Sequence, residues 1–261
     1  MTGRVNLFIA GMQKAGTTAL HSILAGHPQI AASQPKEPHF FDNPALDWSA
    51  PPYSKLERCF PAAATGAKWR LEATPILSFW PPAMERIARY NPQARLILLL
   101  RHPAFRAHAH WRMETARAAE QLDFATSIGP EGRSRAVGPD GLPHRVHSYV
   151  ERGFYAPQLR RVLQHFPRDQ VLFLRTDRMW SDPRGTLETL AGWLGLEGAI
   201  PLPAAPYITP VDSRHLDQML PEARAMLDLL FREDIQETAD LSKLDLTDWL
   251  SADYQEPMPR G

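Results

Sequence analysis

Three short apolar runs constrain this chain more than any other feature: RVNLFIA at residues 4–10, RLILLL at 95–100 and QVLFLR at 170–175. Each is too short for a helix and too continuous for a strand with one wet face, so each reads as a strand buried on both sides. Between them lie segments with helical spacing, at 17–25, 82–90, 104–120, 156–165, 183–194 and 221–237. Residues 29–32 and 68–72 read as two further strands. Strands separated by helices predict right-handed βαβ crossovers and an α/β fold with a central, mainly parallel sheet flanked by helices. The 261 residues suffice for one large α/β domain, and a single domain over 1–261 is expected. Residues 129–143 hold four glycines and three prolines and read as a loop. In such sheets ligands sit at the carboxyl ends of the strands, so the segments after each strand carry the functional argument.

Gly11-Met12-Gln13-Lys14-Ala15-Gly16-Thr17-Thr18 follows the first strand. A glycine-bounded loop entering a helix offers backbone N–H groups and the positive end of the helix dipole to an anion. Lys14 adds a point charge, and Thr17 and Thr18 add hydroxyl donors. A nucleoside triphosphatase loop needs lysine directly after its second glycine. Here Thr17 takes that place and the lysine lies inside the loop. Glycines alone would also suit a plain βα turn.

Lys36-Glu37-Pro38-His39-Phe40-Phe41-Asp42 follows the second strand. The prolines disfavour a helix, and in an extended chain Glu37 and His39 point to one side. Glu37 is suited to general-base work, its pKa raised by aromatic neighbours and lowered by Lys36 and His39, while Asp42 could orient His39. An exposed charged loop is the competing reading. The third segment, Arg101-His102-Pro103-Ala104-Phe105-Arg106, follows RLILLL. A magnesium-dependent triphosphatase strand would end in aspartate; an arginine there suits a second anion, or an ion pair at a helix start. His102, His108 and His110 lack a nearby cysteine and a shared helix face, so they read as pocket or surface histidines, and no metal is expected.

Formal net charge is zero, which disfavours a nucleic-acid partner. The lone cysteine, Cys59, permits no intrachain disulfide, and no apolar run approaches a membrane span or a leader segment. A cytoplasmic protein is the expectation.

Taken together, these segments resemble the PAPS-dependent sulfotransferase family (PAPS is 3′-phosphoadenosine-5′-phosphosulfate), in particular its Golgi-type heparan sulfate members and related bacterial ones. The resemblance extends through Glu72-Ala73-Thr74-Pro75, Arg152-Gly153-Phe154-Tyr155 and Trp193-Leu194-Gly195-Leu196. It implies that Gln13, Lys14, Ala15, Gly16, Thr17 and Thr18 hold the 5′-phosphosulfate, that Lys14 stabilises the leaving phosphate, and that Glu37 is the base supported by His39 and Asp42. It implies Arg101 as ligand of the 3′-phosphate, and Arg214 as the donor-binding residue of a late loop. PAPS would be the donor, PAP (3′-phosphoadenosine-5′-phosphate) the product, and a small molecule, lipid or glycan the acceptor; a homodimer is compatible. Two positions depart from the family pattern: Ala109 stands where serine is usual, and Ala73 where many glycan-acting members have lysine. The rival readings are a kinase-like P-loop phosphotransferase and a non-catalytic PAPS- or PAP-binding protein.

Overall fold

The computed structural model describes residues 3–61, 66–202 and 218–257. Five strands form one sheet: β1 (Leu7–Gly11), β2 (Ile30–Ala32), β3 (Trp69–Glu72), β4 (Arg95–Leu100) and β5 (Val171–Arg175). Their order is β2-β3-β1-β4-β5, and every pairing is parallel. Every residue of β1 is buried, and Leu96 to Leu100 of β4 have no exposed surface. Burial on both faces explains the unbroken apolar runs, because a crossover-connected sheet leaves neither face to water.

Helices occupy the crossovers. They are α1 (Thr17–Ala25), α2 (Tyr53–Glu57), α3 (Ala83–Tyr90), α4 (Pro103–Ala116), α5 (Phe124–Ile128), α6 (Pro130–Ser134), α7 (Ala156–His165), α8 (Thr176–Ser181), α9 (Pro183–Leu194) and α10 (Pro221–Ser242). Among the described residues no helix is long and apolar enough to cross a membrane. Local chemistry sets several ends. Asp182 caps α9 by accepting from the Gly185 amide, and Gly195 closes it at φ 59°, a conformation that favours glycine.

The structure departs from the sequence expectations in places. The helix expected over 104–120 ends at Ala116, and the one expected over 221–237 continues to Ser242. The loop expected over 129–143 contains α6, which Pro130 opens from the first-turn position where proline is favoured. Helices α2 and α8 were not expected.

The chain divides into two compact units. One runs to Leu100 and resumes at Arg161, and it contains the whole sheet. The other takes Arg101–Arg160 and the segment through Glu256, including α4 and α10.

Candidate active site

In the sheet-bearing unit, the segments after β1, β2 and β3 leave the same edge of a parallel sheet. The first is the glycine loop. The Met12 amide donates to the Leu99 carbonyl at 2.9 Å, and the Ala15 amide turns back to the Met12 carbonyl at 3.1 Å. Lys14 takes φ 68° and Gly16 φ 89°, so the loop turns sharply into α1. A Cβ on Gly16 would lie 3.0 Å from Cε of Met179 and 3.3 Å from the Trp180 ring. Glycine is therefore required there by both conformation and space. The Thr176 hydroxyl donates to the Ala15 carbonyl at 2.7 Å and pins the loop from α8. No side chain caps the N-terminus of α1, so its first-turn N–H groups and dipole remain available to an anion.

The second segment is an acid–base cluster. Lys36 Nζ donates to Glu37 Oε1 at 2.5 Å. His39 Nδ1 donates to Asp42 Oδ2 at 2.8 Å, and its Nε2 stands 3.6 Å from Glu37 Oε2. The Asp42 side chain has no exposed surface. The aromatic pair between His39 and Asp42 anchors the segment: Phe41 packs against Phe8 and Tyr90, and Phe40 against Trp48. Arg86 donates from Nη1 to the Phe41 carbonyl at 2.7 Å. The segment is not simply extended, since His39 has φ 50°, yet Glu37 and His39 still meet.

These contacts set the charges. Burial pushes the Glu37 pKa up, but the neighbouring His39 imidazolium and the Lys36 ammonium outweigh it and hold the carboxyl at about 2. The aromatic neighbourhood expected to raise it loses to two cations. The Asp42 hydrogen bond, then the nearby Glu37 carboxylate, hold His39 protonated up to about 9 against the cost of burial. The resting cluster is thus an ionised carboxylate between two cations.

Two further residues join this cluster: Glu72, which lies in the segment at 72–75 already marked by the sequence resemblance, and His21, which sequence reasoning missed. Glu72, at the end of β3, is buried and accepts a hydrogen bond from the Thr74 hydroxyl at Oε1, while Oε2 has no hydrogen-bond partner. Burial pushes its pKa up to about 8, with Thr74 acting against that and the Asp42 charge with it. His21, on α1, has a buried Nε2 with no hydrogen-bond partner. Burial, then the Lys36 charge, hold its pKa down to about 4 while Glu37 acts the other way. His21 therefore lies within electrostatic reach of Lys36 and Glu37, which links α1 to the acid–base segment. A lone histidine on a helix carries no local sequence signal for such a role.

The second unit contains Arg101. Its guanidinium is held by Glu256, and its carbonyl accepts from the Tyr155 hydroxyl at 2.7 Å. The three histidines expected at a pocket or surface are buried in separate settings. His102 lies against Tyr254, His108 stacks on Trp111, and His110 meets Tyr149 edge-on. Their aromatic neighbours explain the burial. Among the described residues no group of three or more His, Cys, Asp or Glu is arranged to hold a metal ion. Arg214 lies outside the described residues.

Comparison with known proteins adds the following. The family described as "Sulfotransferase domain" matches residues 4–202, a stretch that draws on both units. Heparan sulfate glucosamine 3-O-sulfotransferase 3B1 of Mus musculus is 32% identical over 195 residues, covering 74% of this chain and 46% of that protein. Bifunctional heparan sulfate N-deacetylase/N-sulfotransferase 2 of Homo sapiens is 28% identical over 200 residues, covering 72% of this chain and 22% of that protein. The chain thus spans less than half the length of these two relatives. Among solved structures, a sulfotransferase from Alicyclobacillus acidocaldarius superposes with a TM-score of 0.77 at 26% identity, covering 95% of this chain and 99% of that one. Mouse sulfotransferase SULT7A1, complexed with PAP, shares the fold with a TM-score of 0.50 at 14% identity, covering 92% and 87%.

Proposed function

The chain belongs to the sulfotransferase domain family, and from that premise we propose that it transfers a sulfuryl group from PAPS to an acceptor hydroxyl or amine. The observation that carries this reading is the ionised Glu37, bridged to Lys36 and His39, at the same sheet edge as the Lys14 loop.

The proposed step is in-line. The acceptor oxygen or nitrogen attacks sulfur, the bond from sulfur to the bridging phosphate oxygen breaks, and PAP departs. The acceptor proton passes to the Glu37 carboxylate. A carboxyl held at about 2 is a weak base toward a free alcohol. It becomes competent late in the step, because a hydroxyl oxygen forming a bond to sulfur turns strongly acidic. His39, fixed by Asp42, holds the carboxylate in place. Lys14, the amides that open α1 and the Thr17 hydroxyl stabilise charge growing on the leaving oxygen. Gln13, Ala15, Gly16 and Thr18 complete that cradle, and Arg101 takes the 3′-phosphate by a bidentate contact. The zero net charge and Ala73 favour an acceptor of low charge, whether small molecule, lipid or glycan.

The test is transfer from labelled PAPS, screened over phenolic, lipid, sugar and amine acceptors, with Glu37→Gln beside the wild type. The variant should bind PAP as the wild type does and lose about 10²–10⁴-fold in turnover. Wild-type turnover in Glu37→Gln rules out the base assignment, and a protein that binds neither PAPS nor PAP rules out the activity.

A further inference from the structure

The second unit holds a carboxylate against the arginine assigned to the donor. Arg101 Nε donates to Glu256 Oε1 at 2.7 Å, and Nη2 donates to Oε2 at 2.5 Å. This is the two-pronged geometry in which a guanidinium takes two oxygens of a phosphate. The pair is largely withdrawn from water, with side-chain exposures of 22% and 14%. Burial works against the charged guanidinium, but the Glu256 charge and hydrogen bonds outweigh it and raise the Arg101 pKa.

Glu256 is delivered by an anchored segment. Two residues earlier, the Tyr254 ring stacks on His102 with centroids 5.1 Å apart, and its carbonyl accepts from Arg224 Nη1 at 3.2 Å. His102 is itself tied to this segment through Nε2, which donates to the Trp249 carbonyl at 3.1 Å. A carboxylate tethered so close to its anchor has a high effective concentration at Arg101. A buried guanidinium left without an anion is costly, and Glu256 removes that cost.

We propose that Glu256 is a built-in competitor for the anion site at Arg101, holding it until the 3′-phosphate of the donor nucleotide displaces it. The inference rests on the assignment of Arg101 to that phosphate. It gives the C-terminal segment a function: donor affinity is set below what Arg101 alone would provide, and Glu256 returns as PAP leaves, which assists product release.

Calorimetric titration tests this with PAP and with adenosine 5′-monophosphate, which has no 3′-phosphate. The proteins are the wild type, Glu256→Gln, Glu256→Asp, Arg101→Gln and the Glu256→Gln/Arg101→Gln double variant, each first shown to be folded by its thermal melt. Glu256→Gln should bind PAP about ten-fold more tightly than the wild type, as expected when a closed state is removed. Glu256→Asp, with the same charge on a shorter reach, should fall between them. Affinity for adenosine 5′-monophosphate should not change, and the gain should vanish when Arg101 is also replaced. If Glu256→Gln binds PAP no more tightly while Arg101→Gln binds it weakly, the competitor role is overturned and the Arg101 assignment stands. If Arg101→Gln binds PAP as the wild type does, the assignment fails and the inference with it.

Discussion

His39 donates through Nδ1 to the buried Asp42 at 2.8 Å, and its other ring nitrogen faces Glu37 at 3.6 Å. One imidazolium therefore holds two carboxylates, a buried one that fixes its orientation and a more exposed one, the proposed base. The pKa values that follow are open to measurement.

His39 has a folded-state pKa of about 9 against an ordinary 6.5. Its protonated form is favoured by folding, so its contribution to stability is complete below pH 6.5 and disappears as pH rises through 9. Thermal melts should show His39→Asn destabilised near pH 6 and close to wild type well above pH 9. Turnover of the wild type should fall over the same alkaline range.

Lys36 helps to keep Glu37 ionised. Lys36→Met removes that cation and leaves burial opposed by His39 alone, so the Glu37 pKa should climb from about 2 toward the ordinary 4.5. A profile of kcat/KM against pH should show its acid limb displaced upward. An unmoved acid limb would show that the Lys36 contact does not govern Glu37.

Glu72 behaves oppositely to a surface carboxylate. Its folded pKa of about 8 lies above the ordinary 4.5, so the folded state keeps a proton that the unfolded chain releases. Its contribution is complete below pH 4.5 and declines as pH rises through 8. Glu72→Gln should flatten that decline, gaining stability relative to wild type between pH 5 and pH 8 in chemical denaturation.

Gly16→Ala forces a side chain into φ 89° and toward Met179 at 3.0 Å. The left-handed conformation alone costs roughly 1–2 kcal/mol. Thermal melts should register the loss, and PAP affinity should fall with it. Gly153→Ala, in the second unit, is the control. Its Cβ would lie 2.5 Å from Cζ of Phe231. Overpacking there should cost roughly 1–3 kcal/mol without weakening the Lys14 loop.

Most of the sheet was legible because buried parallel strands write themselves as unbroken apolar runs, as β4 does at Arg95–Leu100. Helix α8 was hidden because it starts at Thr176, directly after β5, with no glycine or proline to mark the change. Helix α6 was hidden because Pro130 and Gly132 read as breakers, although proline favours a helix start. Within the site, contacts between near neighbours such as Lys36–Glu37 and His39–Asp42 could be anticipated from spacing. The contribution of Glu72 depends on β3 lying between β2 and β1, and that of His21 on how α1 packs. The Arg101–Glu256 pair joins residues 155 positions apart, and no local pattern predicts it.

The hydrogen bond from Thr176 to the Ala15 carbonyl has a consequence for how the protein comes into being. The loop that opens α1 is synthesised well before α8, with 161 positions between Ala15 and Thr176, yet the hydroxyl that pins it and the Met179 and Trp180 side chains that wall in Gly16 come from α8. A nascent chain that has not reached β5 carries every residue of the loop without the contacts that shape it. The shape of the loop is then acquired only once α8 has been made, and a chain broken off before α8 lacks the contacts that give it that shape.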